Sequence, residues 1–235
     1  MKFEKYYDGL TEFEGLPKRE LVAPWDSAHI VSIEDSILPA VKKCRIEFSV
    51  DANISDSSLG NKIEKEFLFA VKPLNYDLQK CEGKGYPDAF LRRWVDRVKF
   101  PFEIKSKSAF DRRDGNRQVF LSTSSKLRLQ FPESPICHVF GTVFYSRLAG
   151  KHQDTIQLIG LALEFLEPWT VIEVRLEASG SQRLLYAGTH ERSLVVPEWV
   201  QADCRIDTTV FETFLKPSEQ DNINLAEPEQ IVRCI

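Results

Sequence analysis

Three ionisable residues, Asp88, Glu103 and Lys105, occur in a pattern that can support hydrolytic chemistry. Residues 98–106 alternate apolar and polar side chains, which predicts a strand whose successive side chains lie on opposite faces. The apolar face carries Val98, Phe100, Phe102 and Ile104. Glu103 and Lys105 therefore share the other face, where a carboxylate lies beside an ammonium group.

A hairpin would bring Asp88 to the same face. If residues 88–93 pair with 98–106 around a four-residue turn, Trp94 to Arg97, paired positions sum to 191 and Asp88 lies opposite Glu103. The same register pairs apolar residues with one another: Ala89 with Phe102, and Leu91 with Phe100.

This juxtaposition of carboxylates predicts a metal site. Directly opposed residues have Cβ atoms about 4.5 to 5.5 Å apart. Two carboxylates that close repel each other unless a cation lies between them, and oxygen ligands of this type suit Mg²⁺. Lys105 could then orient or deprotonate a water molecule bound to the metal. The pattern predicts metal-assisted hydrolysis of a phosphodiester.

The order of these residues resembles a known motif. Pro87 and Asp88, followed after fourteen residues by Glu103, Ile104 and Lys105, are similar to the PD-(D/E)XK motif of the restriction-endonuclease-like nuclease superfamily. The resemblance implies that Asp88, Glu103 and the carbonyl of Ile104 are metal ligands, and that Lys105 is the catalytic lysine.

The family often adds a glutamate on the preceding helix, in a GxxxE setting that Gly60 to Glu64 match. A helix is predicted from Leu59 to about Val71, with Ser57 or Ser58 as its cap. Glu66 is a rival to Glu64, because both lie about equally far from the centre of the apolar stripe of this helix. Periodicity leaves the choice open.

The resemblance implies a Mg²⁺-dependent endonuclease of the type II restriction kind, acting on double-stranded DNA as a homodimer. Two alternatives stay open. One is a structure-specific repair, recombination or mobile-element nuclease of the same fold. The other is a non-catalytic nucleic-acid-binding domain, because an exposed hairpin with an ordinary Glu-Lys pair would produce the same sequence pattern.

Basic residues are concentrated around the predicted site. The 235-residue chain has a net charge of -4, yet residues 92–128 contain eleven basic and four acidic residues, a net of +7, which leaves -11 for the remainder. Such a patch can bind phosphates. Arg, Asn and Gln also contact base edges. The candidate DNA-binding residues are Arg112, Arg113, Asn116, Arg117, Lys126 and Arg128.

The fold class indicated is α/β, with a restriction-endonuclease-like mixed central sheet flanked by helices and a β-rich C-terminal elaboration. We expect a single domain over 1–235. Its parts are an N-terminal arm (1–28), a nuclease core (about 45–135), a β-rich region completing the sheet (136–215) and a peripheral tail (216–235). Asp77 to Gly85 is expected to be a polar loop, and strands are expected at Arg45–Val50, Ile136–Tyr145, Thr155–Phe165 and Val171–Ala178.

The composition predicts a cytoplasmic protein. Five widely spaced cysteines without a CxxC pair indicate reduced thiols. No N-terminal signal pattern and no apolar run of membrane-spanning length occur in the sequence, so we expect no membrane partner. The four histidines show no metal-ligand spacing, so a structural zinc site is not expected.

Overall fold

The computed structural model describes residues 23–82, 87–108, 137–168, 172–176, 182–186 and 193–203. In chain order the elements are α1 (Ser27–Lys43), β1 (Glu47–Asp51), α2 (Asp56–Ala70), β2 (Tyr76–Lys80), β3 (Ala89–Arg93), β4 (Lys99–Ser108), β5 (His138–Leu148), β6 (Gln153–Leu166), β7 (Ile172–Leu176), β8 (Gln182–Tyr186), β9 (Ser193–Val195) and α3 (Glu198–Ala202).

A mixed sheet forms the centre of the described region. Its strand order is β1-β6-β5-β4-β3-β2, and β9 also pairs with β6. Strands β4 and β5 are parallel, whereas the other pairs that the structure describes in this sheet are antiparallel. Strands β7 and β8 form a separate two-stranded sheet. The predicted α/β class with a mixed sheet is confirmed.

The main core lies between this sheet and helices α1 and α2. On β4 it contains Phe100, Phe102 and Ile104, as the alternation predicts. Trp25, just before α1, stacks on Phe100 with ring centroids 5.2 Å apart. A smaller cluster contains Phe144 of β5 and Val200 of α3. Phe144 neighbours Val143 of the main core, so the two clusters lie on opposite faces of β5.

Helix α1 occupies a stretch for which the sequence predicted no element. Asp26 caps it, and the Asp26 carboxylate accepts a hydrogen bond from the Ala28 N–H at 2.8 Å. Ile33, Ile37 and Val41 recur every four residues and are buried, which holds one face of the helix against the core. This spacing was the signal that could have predicted the helix.

Helix α2 begins earlier than predicted. It starts at Asp56 instead of Leu59, because Ser55 is the N-cap in place of Ser57 or Ser58. The Ser55 hydroxyl accepts a hydrogen bond from the Ser58 N–H at 3.3 Å. Gly60 brings this helix close to β4, since a Cβ atom there would lie 3.3 Å from Ser106 Oγ.

The expected loop from Asp77 to Gly85 is wrong in its first half, where β2 pairs with β3. Tyr76 is buried, and Asp77 forms an ion pair with Arg92 on the neighbouring strand at 2.7 Å. The burial of Tyr76 and this ion pair stabilise a strand despite the polar composition of the segment. The later strand predictions are confirmed within a few residues by β5, β6 and β7.

Candidate active site

The β3–β4 hairpin has the predicted register. Ala89 pairs with Phe102 and Leu91 with Phe100, so paired positions sum to 191. All four side chains are buried, which fixes the register because a slip by one residue would expose them. The turn is closed by a backbone hydrogen bond from Arg93 N–H to the Val98 carbonyl at 2.9 Å.

Asp88 lies at the end of this hairpin, directly before β3. Its Oδ2 accepts a hydrogen bond from the Ile104 N–H at 2.7 Å. The described pairing of β3 with β4 stops at Phe102, so Asp88 occupies the strand edge just beyond it. In an extended strand the N–H and C=O of one residue point to the same side. The Ile104 carbonyl therefore faces the edge where Asp88 lies.

Glu103 is a buried carboxylate with an incomplete set of partners. It is 5% exposed. Its Oε1 contacts the Lys105 ammonium, whereas Oε2 has no hydrogen-bond partner. Burial raises the pKa of Glu103 to about 8; the charge of Asp88 adds to this shift and the attraction of Lys105 opposes it. The carboxyl group therefore keeps its proton up to about pH 8 in the folded chain.

Lys105 is the cation of the site. Burial alone would lower its pKa, but the charges of Glu103 and Asp88, with a smaller contribution from Glu64, outweigh burial and raise the pKa. Lys105 is therefore an ammonium group at neutral pH. Of the two roles predicted for it, orienting a water molecule fits this state better than removing a proton.

Glu64 reaches the same site from helix α2. Burial raises its pKa, the charge of Asp88 adds to the shift, and Lys80 and Lys105 oppose it. Its Oε1 lies 4.0 Å from Lys80 Nζ. No such contact links Glu66 to these residues within the described part of the chain. We call Glu64, Asp88, Glu103 and Lys105 the carboxylate–lysine cluster.

Two residues beside the cluster were missed because β2 was expected to be a loop. Lys80, the last residue of β2, contacts Glu64. Cys81 follows it, and its N–H donates to the Asp88 carbonyl at 3.0 Å. Burial raises the pKa of the Cys81 thiol, and the charges of Asp88 and Glu103 add to the shift. If the sequence analysis had placed an antiparallel strand beside residues 88–93, Lys80 and Cys81 would have been located next to Asp88.

The described residues contain no group of three or more His, Cys, Asp or Glu side chains arranged to hold a metal ion. The predicted metal ligands are not such a group of three side chains. They are two carboxylates, Asp88 and Glu103, and one backbone carbonyl, that of Ile104. The buried, unpartnered Oε2 of Glu103 fits a Mg²⁺ ligand, since that cation takes oxygen donors. The candidate DNA-binding residues lie outside the described residues: Arg112, Arg113, Asn116, Arg117, Lys126 and Arg128.

Comparison with models of known protein families finds no match. None of the curated proteins matches the chain either. In the part of the chain that the structure describes, every helix is too short or too polar to cross a membrane.

Proposed function

We propose that this protein is a Mg²⁺-dependent DNA endonuclease with a restriction-endonuclease-like fold, cutting double-stranded DNA at specific sequences. The observation that carries the proposal is the Glu103 carboxylate, which is buried with one oxygen unpartnered beside Asp88 and Lys105. A buried carboxyl group with an unpartnered oxygen and a raised pKa lowers stability, and such groups are concentrated at functional sites. A hairpin with a purely structural role does not require a buried, unpartnered carboxyl group.

In this proposal Asp88, Glu103 and the Ile104 carbonyl would hold the metal. Bound Mg²⁺ would polarise the scissile phosphate and make a water molecule more acidic. The Ile104 carbonyl would be available as a ligand, because the Asp88 carboxylate accepts a hydrogen bond from the Ile104 N–H at the same strand edge. Since Oε1 of Glu103 faces Lys105, Oε2 is the oxygen left for the metal.

Lys105 donates hydrogen bonds to the attacking water and to a phosphate oxygen, and its charge stabilises the negative charge that develops during attack. Its raised pKa keeps it protonated for this role. Glu64 adds a carboxylate on the helix side of the site, where it acts on both Asp88 and Lys105. Sequence preference would come from the basic segment that follows β4.

The test is cleavage of plasmid DNA in Mg²⁺ by the wild type and by Asp88→Asn, Glu103→Gln and Lys105→Met. We expect each substitution to slow cleavage by about 10²-fold or more while DNA binding is retained. Lys99→Met is the matched control, because Lys99 is exposed on the same strand; it should cut at close to the wild-type rate. Cleavage by Glu103→Gln at the wild-type rate would refute the site.

The same assay distinguishes the alternatives. A discrete fragment ladder supports sequence-specific cutting, whereas cleavage confined to branched DNA indicates a structure-specific nuclease. Binding without cleavage by the wild type indicates a non-catalytic domain. A comparison of Glu64→Gln with Glu66→Gln tests which glutamate of α2 belongs to the site. Only Glu64→Gln should slow cleavage.

A further inference from the structure

A second lysine, Lys80, lies beside the carboxylate–lysine cluster. It is the last residue of β2 and pairs with Ala89 of β3, the residue directly after Asp88. The next residue along the chain, Cys81, donates its N–H to the Asp88 carbonyl at 3.0 Å. The backbone that carries Lys80 is therefore fixed against the backbone that positions Asp88.

The two lysines lie on either side of Asp88. The strand order is β4, β3, β2, with Lys105 on β4, Asp88 directly before β3 and Lys80 on β2. Neighbouring strands are about 4.8 Å apart, so β4 and β2 are about 10 Å apart. Lys80 pairs with Ala89 and Ala89 with Phe102, so Lys80 shares the core face of the sheet, whereas Lys105 lies on the opposite face. The two ammonium groups can therefore contact different phosphates.

The Lys80 ammonium group is held only loosely. Its Nζ lies 4.0 Å from Glu64 Oε1, which is within ion-pair range but too far for a hydrogen bond. The Lys80 side chain is 57% exposed, and Glu64 is its ion-pair partner in the part of the chain that the structure describes. Lys105, in contrast, contacts Glu103 directly, and its side chain is 28% exposed. Lys80 is thus the lysine with N–H groups available to a ligand.

A cation is needed on this side of the site if a phosphate is to approach it. Asp88 and Glu64 lie close enough that the charge of Asp88 raises the pKa of Glu64, and Lys80 opposes that shift. The same carboxylates would repel a phosphate group. Since Lys105 is engaged by Glu103, Lys80 is the lysine that can offset the repulsion. An ammonium group binds phosphate as a compact point charge.

We propose that Lys80 binds a backbone phosphate of the DNA, next to the phosphate at which the strand is cut. This inference rests on the proposed nuclease function. Lys105 serves the scissile phosphate, and Lys80, across Asp88 from it, donates hydrogen bonds to the neighbouring one. The ion pair with Glu64 keeps the Lys80 side chain near the site before DNA arrives, so binding costs less side-chain entropy.

The test is the salt dependence of binding to short DNA duplexes, measured by fluorescence anisotropy in EDTA to prevent metal-dependent cleavage. Lys80→Met should raise the dissociation constant about tenfold at about 100 mM salt. It should also reduce the slope of log affinity against log salt by about 0.9, the value for one phosphate contact, for duplexes of any sequence. Lys80→Arg keeps the charge and should keep the wild-type slope. Lys72→Met is the matched control, because Lys72 is exposed beyond the far end of α2.

A double variant separates phosphate binding from a role confined to the Lys80–Glu64 ion pair. If Lys80 binds phosphate itself, Lys80→Met lowers the slope in a Glu64→Gln background as it does in the wild type. The proposal is overturned if the loss disappears in that background, or if Lys80→Met alone leaves the slope unchanged. Circular dichroism checks that each variant folds.

Cleavage kinetics in Mg²⁺ give a second measurement. Lys80→Met should raise KM about tenfold and change kcat less than about threefold, because the contact is made before and during the reaction alike. A lowered kcat with an unchanged KM would contradict the assignment. A wild type that binds DNA without cutting it refutes the nuclease function but not the phosphate contact, whereas a wild type that does not bind DNA overturns both.

Discussion

Replacing Glu103 by Gln should stabilise the chain at alkaline pH and change its stability little at acidic pH. Glu103 is 5% exposed, and burial raises its pKa from 4.5 to about 8. A protonated carboxyl group and an amide have nearly the same size, so the substitution removes the ionisable charge and preserves the packing.

The sign follows from proton linkage. The unfolded chain releases this proton near pH 4.5, whereas the folded chain keeps it until about pH 8. Between these pH values the folded state binds more protons, so the free energy of unfolding falls as pH rises and stays low above the folded-state pKa. At about 1.4 kcal/mol per pKa unit, the loss across the window is about 3 to 5 kcal/mol.

The assay is urea unfolding in EDTA at pH 5, 7 and 8.5. Glu103→Gln and wild type should have similar free energies of unfolding at pH 5, and the variant should be more stable by about 3 to 5 kcal/mol at pH 8.5. Glu47→Gln is the matched control. Hydrogen bonds from Gln157 and Arg45 lower the pKa of Glu47, so it titrates below the window and its effect should be constant from pH 5 to 8.5.

Parallel pH profiles for wild type and Glu103→Gln would refute the reasoning. They would mean that Glu103 ionises in the folded chain as easily as in the unfolded chain, so the carboxylate would not be desolvated. The main argument for a functional cluster would then be lost.

Two further predictions concern the metal and the core. Mg²⁺ at about ten times its dissociation constant should raise the free energy of unfolding by about 1.4 kcal/mol. The rise should be absent in Glu103→Gln; an equal rise in both proteins would place the metal elsewhere. Gly141→Ala should cost about 1 to 3 kcal/mol in urea unfolding, because the added Cβ would lie 2.8 Å from the buried Phe102 ring. Phe102→Leu in the same chain should recover part of that loss, and additive costs would contradict the proposed clash.

The β3–β4 hairpin could be predicted because its determinants are local. Alternating apolar residues and a short turn fix the register, and burial of Leu91 against Phe100 agrees with both. Helix α1 and strand β2 were not predicted. In β2 the burial of Tyr76 and the Asp77–Arg92 ion pair outweigh the local polar sequence. In α1 the four-residue spacing of its buried residues was a local signal, which the sequence analysis did not use.

The choice between Glu64 and Glu66 shows which information the hydrophobic periodicity of a helix does not contain. A helical wheel gives the angle between Glu64 and Glu66 but not the direction from which the sheet approaches. The structure supplies this direction at Gly60, where α2 comes close to Ser106 of β4. Glu64 lies four residues further on and thus on the same side of the helix. The burial of Glu103 was equally beyond prediction, because a strand pattern does not show how deeply its polar face is covered.

The hydrogen bond between Ile104 and Asp88 provides a spectroscopic probe of the site. The Ile104 amide is bonded to a carboxylate, whereas most amides of a sheet are bonded to backbone carbonyls. Its nitrogen and proton chemical shifts should therefore follow the charge of Asp88. A single backbone resonance can thus report metal capture, protonation or substrate arrival at the cluster, without a label on any side chain of the site.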